Sequence, residues 1–234
     1  MCTVTYLPLK QHNFILTSNR DEQRNRITLN PKSYQEGQVK MMYPKDKIAG
    51  GTWIGVSEKQ RLVCVLNGGF IKHHRKLQYS KSRGLIAKEL LAAEDFETVI
   101  PTLNLKGVEP FTMVIVDWSK NKPKLFELVW DESKTHFQAL KNEPRIWSSS
   151  TLYTDDIKNV RRQWFKEWID QNAFTRDSIL EFHHSEIGEK SQSVVMKRPY
   201  VETVSITSVV KNDQGIEMYY EDIIHCKEWT SLFE

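Results

Sequence analysis

The chain has 234 residues, 39% of them hydrophobic and 27% charged, with a formal net charge of +3. That length supplies a sizeable core, and the balance of apolar and charged residues excludes a disordered chain. The small positive excess argues against a nucleic-acid footprint, and no apolar run nears the roughly 18 residues that cross a bilayer.

The elements follow in chain order. Thr3 to Leu7 and Phe14 to Thr17 are β-branched and aromatic, two strands joined across Lys10-Gln11-His12-Asn13. Residues 23 to 50 are polar, with Pro31, Gly37 and Pro44, and read as one long loop. Gly50-Gly51 then leads into strands over Thr52 to Val56 and Arg61 to Leu66, the second ending at Asn67-Gly68-Gly69. Helical spacing covers Ser82 to Ala92 and, more briefly, Phe96 to Leu103. Phe111 to Asp117, Lys124 to Trp130, His136 to Leu140 and Arg145 to Trp147 continue the strands. Asp155 to Asp170 is a helix with Trp164, Phe165, Trp168 and Ile169 on one face, and Thr175 caps a second that runs to Phe182. Thr203 to Val210 and Ile216 to Tyr220 close the chain as a hairpin. Hairpins separated by helix pairs predict an α+β fold of layered antiparallel sheets, in one domain over residues 1–234.

Three cysteines, Cys2, Cys64 and Cys226, are odd in number and form no CxxC pair. They define no disulfide framework and suit a reducing compartment. Thr3 to Leu7 is too short for a signal peptide and runs straight into polar residues, so the expected location is the cytoplasm. Cys64 alternates inward in its strand and reads as buried and inert.

Position 2 is where chemistry is expected. If Met1 is removed, Cys2 carries both a thiol, with a free pKa of about 8.5, and an α-amine of about 7.7–8.0. The amine can take the thiol proton and later return it, so one residue is both nucleophile and base. A strand returning near residue 17 brings Asn19-Arg20-Asp21-Glu22 back beside the chain start. Asp21 would hold the amine, Arg20 would draw the thiol toward thiolate, and Asn19 would donate to a substrate or intermediate. If Met1 is kept, amine and sulfur are not adjacent and this chemistry is closed. A solvated turn with a local ion pair is the plain alternative for these four residues.

Met1-Cys2, Asn19-Arg20-Asp21-Glu22, Gly50-Gly51-Thr52-Trp53-Ile54-Gly55-Val56, the strand ending at Asn67, and Ser82-Arg83-Gly84 opening a helix together resemble the NRDE family. It is also called the transport and Golgi organisation protein 2 family. The match in order and spacing covers about the first 90 residues, with the strand at Thr203 added. The resemblance implies kinship with N-terminal nucleophile (Ntn) hydrolases of the choloylglycine hydrolase and penicillin V acylase type, and a four-layer αββα sandwich. It implies Cys2 as nucleophile, Asp21 as the group positioning its amine, and Asn67 as an oxyanion or substrate-orienting amide. Three positions depart from those hydrolases: Ser18 where they carry arginine, Ser150 near their later asparagine, and Val204 near their distal arginine.

Trp53 is a candidate apolar wall for substrate, and Ser150 a candidate substrate hydroxyl; a core tryptophan is the alternative for the first. Lys72-His73-His74-Arg75-Lys76 reads as a solvated basic loop or as a site for a phosphate-bearing ligand such as a coenzyme A ester. His183-His184 lacks the spacing of helical metal ligands, so no metal and no cofactor are expected. Two functions stand side by side. One is an N-terminal cysteine hydrolase or acyltransferase acting on an amide or thioester of a small acyl substrate. The other is a non-catalytic carrier for an acyl-lipid, acyl-coenzyme A or haem-like ligand, which the three departures favour.

Overall fold

The computed structural model describes residues 3–233, and its chain divides into two compact units. The first comprises Met1–Arg26 and Glu143–Glu234; the second comprises Ile27–Asn142.

In the first unit the strands are β1 (Thr3–Pro8), β2 (Phe14–Glu22), β10 (Arg145–Ser148), β11 (Glu202–Asn212), β12 (Gly215–Asp222) and β13 (Lys227–Phe233). They form one antiparallel sheet in the order β10-β1-β2-β11-β12-β13. Alternation along β1 and β2 sends Leu7 and Ile15, which are register partners, toward helices α3 (Asp155–Gln171) and α4 (Arg176–His184). There they meet Phe165, Ile179 and Phe182, with Trp164, Trp168 and Ile169 packed on the same cluster. The expected aromatic face of α3 is therefore its core face. Thr154 and Thr175 cap the two helices, and Thr175 with Ser178 completes a reciprocal capping box.

The second unit holds a seven-stranded antiparallel sheet in strict chain order: β3 (Thr28–Glu36), β4 (Val39–Asp46), β5 (Ile54–Ser57), β6 (Arg61–Asn67), β7 (Phe111–Asp117), β8 (Lys124–Trp130) and β9 (Thr135–Leu140). Val63, Val65, Phe111, Met113, Ile115, Phe126 and Leu128 project from one face. They pack against Ile86, Leu90 and Leu91 of α1 (Arg83–Ala92) and Phe96 of α2 (Phe96–Val99). Cys64, on the other face of β6, is fully buried. The sheets with their helices make the fold α+β.

Two expectations change. Residues 23 to 50 are not one loop: β3 and β4 form a hairpin turning at Gly37, whose φ is +62°. The polar sequence of β3 reflects its place at the sheet edge, where much of the strand meets solvent. Pro31 falls where the β3–β4 register shifts, a position that demands no ladder N–H. The second change is β13, an edge strand of exposed alternating residues that sequence patterning did not separate from the tail.

One buried cation anchors helix to sheet in the second unit. Arg61, at the start of β6, pairs with Asp117 of β7 at 3.0 Å. Its Nη1 donates to the carbonyls of Leu90 and Ala93 at 2.7 Å each, at the C-terminal end of α1. Positive charge at that helix end is favourable, and the guanidinium also lies over the Phe96 ring. Replacing Arg61 by Met leaves Asp117 buried without its cation and α1 carbonyls without donors. The expected loss in unfolding free energy is about 3–5 kcal/mol by denaturant titration. Arg61→Met combined with Asp117→Leu should recover part of it; a wild-type value for the single variant would mean that the pair anchors nothing.

Candidate functional site

Strand β2 runs through Glu22, so Asn19-Arg20-Asp21-Glu22 is not a turn but strand, flanked by β1 and β11. Period-two alternation splits the four residues that were expected to converge. Asn19 and Asp21 face the helical side, while Arg20 turns the other way with Glu22, an ion pair at 4.0 Å.

Asp21 is buried, 2% exposed. Its Oδ1 accepts from the Thr203 hydroxyl at 2.6 Å and its Oδ2 from the Tyr153 hydroxyl at 3.2 Å. Thr203 is the register partner of Asp21 on β11, and its oxygen accepts the Met196 backbone N–H at 2.9 Å. The Tyr153 oxygen accepts in turn from Arg161 Nη2 at 3.0 Å. Arg161 projects from α3 and is fully buried. It donates to the Thr3 hydroxyl at 2.6 Å, to the Gln192 carbonyl at 3.0 Å and to the Ser193 carbonyl, and its guanidinium stacks 3.9 Å above the Tyr153 ring. A buried cation and a buried carboxylate are thus joined through one phenol, and the same cation holds Thr3 at the start of β1. Each Asp21 oxygen keeps room for a further donor, because a carboxylate offers about four acceptor sites.

Asn19 has a different task from the expected one. Its Nδ2 donates to the His183 carbonyl at 3.0 Å and the Val194 carbonyl at 2.9 Å. Both amide hydrogens are spent, so none is left for a reaction intermediate. Its Oδ1 lies 2.6 Å from His183 Nδ1, which must therefore carry the ring proton, leaving Nε2 to accept from the Thr5 hydroxyl at 2.7 Å. Asn19 clamps β2 to α4 and to the segment after it.

Ser150 is buried in the turn between β10 and α3, next to Ser149, whose hydroxyl lies 2.9 Å from that of Thr151. Ser18 is fully buried on the face of β2 opposite Asp21. Val204 sits where the β11–β2 register shifts between Thr203 and Ser205, and is buried as well. Cys2 lies outside the described residues. In the second unit, Trp53 is buried among core residues at 6% exposure. Gly51 ahead of it packs so tightly on the first turn of α1 that an added Cβ would come within 2.7 Å of Gly84 backbone carbon. Asn67 ends β6 half-buried, and Gly68, with φ +86°, turns the chain immediately after it.

Beyond the ends of β2 and β11 opens a cleft of about 920 Å³ lined by Gln23, Arg24, Lys197, Arg198, Tyr200 and Glu202, among others. Arg24 and Glu202 pair across it at 2.5 Å. Arg198 reaches inward to the Leu152 carbonyl at 3.0 Å and lies over the Tyr153 ring, so the basic wall abuts the phenol that holds Asp21. Tyr153, Arg161, Thr203 and His183 were not among the expected site residues. Arg161 did leave a trace: it lies four residues before Phe165 and seven before Trp168, a charge on an apolar stripe.

A model of the family described as Transport and Golgi organisation 2 matches residues 1–222. The chain belongs to that family. No curated protein sequence matches the chain. Among solved structures, penicillin V acylase from Agrobacterium tumefaciens superposes with a TM-score of 0.61 at 11% identity, covering 99% of this chain and 86% of its own. The Caenorhabditis elegans orthologue of N-acylethanolamine-hydrolyzing acid amidase gives 0.59 at 12%, covering 88% and 92%. A variant of conjugated bile acid hydrolase from Clostridium perfringens gives 0.56 at 13%, covering 99% and 92%. The family member described here thus shares the fold of the Ntn hydrolases.

Burial, with smaller pushes from His184 and Arg161, lowers the His183 pKa from 6.5 to about 3. The unfolded chain takes up this proton near pH 6.5 and the folded one does not until about pH 3. Stability present at neutral pH is therefore lost as pH falls through that window, by about 1.4 kcal/mol per pH unit from this group. Nuclear magnetic resonance should show the His183 ring neutral at pH 5; a midpoint near 6.5 would mean that the Asn19–His183–Thr5 chain does not form.

Proposed function

We propose that the chain is an N-terminal cysteine acyl-transfer enzyme that cleaves an amide or thioester of a small acyl substrate. One observation carries the reading. Arg161, Tyr153 and Asp21 form a buried network that ends on Thr3, and Cys2 is joined to Thr3 by a peptide bond. Bonded neighbours have Cα atoms about 3.8 Å apart, so the nucleophile candidate directly precedes a residue held by the same buried cation that reaches Asp21 through Tyr153. The fold shared with acylases and amidases supports the same reading.

Once Met1 is removed, the Cys2 amine accepts the thiol proton and Asp21 stabilises the resulting ammonium. The sulfur attacks the acyl carbon, and the carbonyl electron pair moves to oxygen. Collapse expels the amine or thiol leaving group, which takes the proton from the ammonium. Water then attacks the thioester, giving the acid and restoring the thiol. Arg20, on the opposite face of β2 from Asp21, would favour negative charge on the sulfur. Ser150 is proposed to contact the acyl part.

The cleft beside Tyr153 favours a second reading, a carrier of an acidic acyl ligand. Arg24, Lys197 and Arg198 on its wall outnumber Glu202, so an anionic head group suits it. Incubation with a panel of N-acyl amides and acyl thioesters, followed by intact mass, separates the two. The enzyme reading predicts loss of Met1, an acyl adduct on Cys2, and no adduct in Cys2→Ala. Unmodified Cys2 with ligand still bound by Cys2→Ala would overturn the enzyme in favour of the carrier.

A further inference from the structure

The segment Gly68–Lys81 joins β6 to α1 without regular structure. It presents three large apolar side chains to solvent: Phe70 at 53% exposure, Ile71 at 78% and Leu77 at 109%. Irregular connections of this length are uncommon unless functional. This one is pinned rather than loose. Gly68 N–H donates to the Pro110 carbonyl at 3.0 Å, and Ser80 N–H to the Gly107 carbonyl at 2.8 Å. His73 in the middle is largely buried, with Nε2 3.3 Å from Glu109, and Lys76 N–H donates to the Tyr79 hydroxyl at 2.9 Å. The fixed points lie among the exposed apolar residues and hold them outward.

The charge is equally one-sided. From Gly68 to Lys88 the sequence contains no Asp or Glu. Acids from elsewhere meet some of its cations: Glu132 pairs with Lys76, Glu89 with Lys81, and Glu109 with Arg83. Asp131 is engaged by His136, whose ring meets Phe70 edge-on at 4.8 Å. Lys72 and Arg75 are exposed and lie directly beside Ile71 and His74. Exposed apolar groups interleaved with unneutralised cations match a surface that is negative outside and hydrocarbon beneath.

We propose that Gly68–Lys81 docks the protein on an anionic lipid bilayer, with Phe70, Ile71 and Leu77 entering the interface and Lys72 and Arg75 meeting the head groups. Among the described residues no helix is long and apolar enough to cross a membrane, so the contact is peripheral. The inference is independent of the acyl-transfer reading, and Cys2→Ala should bind vesicles as the wild type does.

Sedimentation of the full chain with phosphatidylcholine vesicles, with and without about 30% phosphatidylserine, tests it. Binding should appear on the anionic vesicles and weaken as salt rises. Lys72→Ala and Arg75→Ala should each weaken it about fivefold. Ile71→Ser with Leu77→Ser should release the protein, whereas Ile48→Ser, at an equally exposed residue of another turn, should not. Equal partition onto neutral and anionic vesicles, or full binding by the Ile71 and Leu77 variant, would overturn the proposal. So would absence of vesicle binding combined with a raised KM for soluble acyl donors in the loop variants, which would make the loop a substrate lid.

Discussion

The first unit depends on a charge that has no direct counter-ion among the described residues. Arg161 is fully buried, and the nearest carboxylate it reaches is Asp21, through the Tyr153 hydroxyl. A guanidinium taken out of water is tolerated only when its donors are filled, and here they go to Thr3, Tyr153 and the carbonyls of Gln192 and Ser193. These partners come from β1, from the turn before α3 and from the segment after α4. The one cation therefore sets where the strand starts and where its neighbouring carboxylate is held. Removing it would leave Asp21, among the described residues, bonded to the neutral hydroxyls of Thr203 and Tyr153.

The two units solve the same problem in parallel. Each sheet covers one face with helices, and in each a buried arginine ties helix to strand: Arg161 from helix to sheet, Arg61 from sheet to helix. Arg61 has a direct carboxylate partner and a helix C-terminus to neutralise, which makes it an anchor. Arg161 is linked instead to a carboxylate with acceptor capacity left over.

Much of this was legible in the sequence because periodicity and family pattern agree. The strands β1, β6, β7 and β8 are apolar runs of fitting length, and α3 shows its aromatic stripe plainly. The polar edge strands β3 and β13 were not legible, since a strand with exposed faces lacks the alternation that reveals a half-buried one. At the site, Asp21 stood out as a carboxylate near the chain start, yet its partners Tyr153 and Thr203 come from 132 and 182 residues away. No local spacing encodes such contacts. Asn19 was misread for a related reason: an amide in a strand looks free to bind substrate until α4 and the segment after it supply carbonyls for both its hydrogens.

The central claim is that Asp21 and Arg161 share one buried network. A double-mutant cycle in unfolding free energy, with Asp21→Asn, Arg161→Met and both together, tests it directly. Shared membership predicts a coupling of about 1–3 kcal/mol, the double variant losing less than the sum of the singles. Losses that add within about 0.5 kcal/mol would contradict it, leaving the two charges as unrelated neighbours.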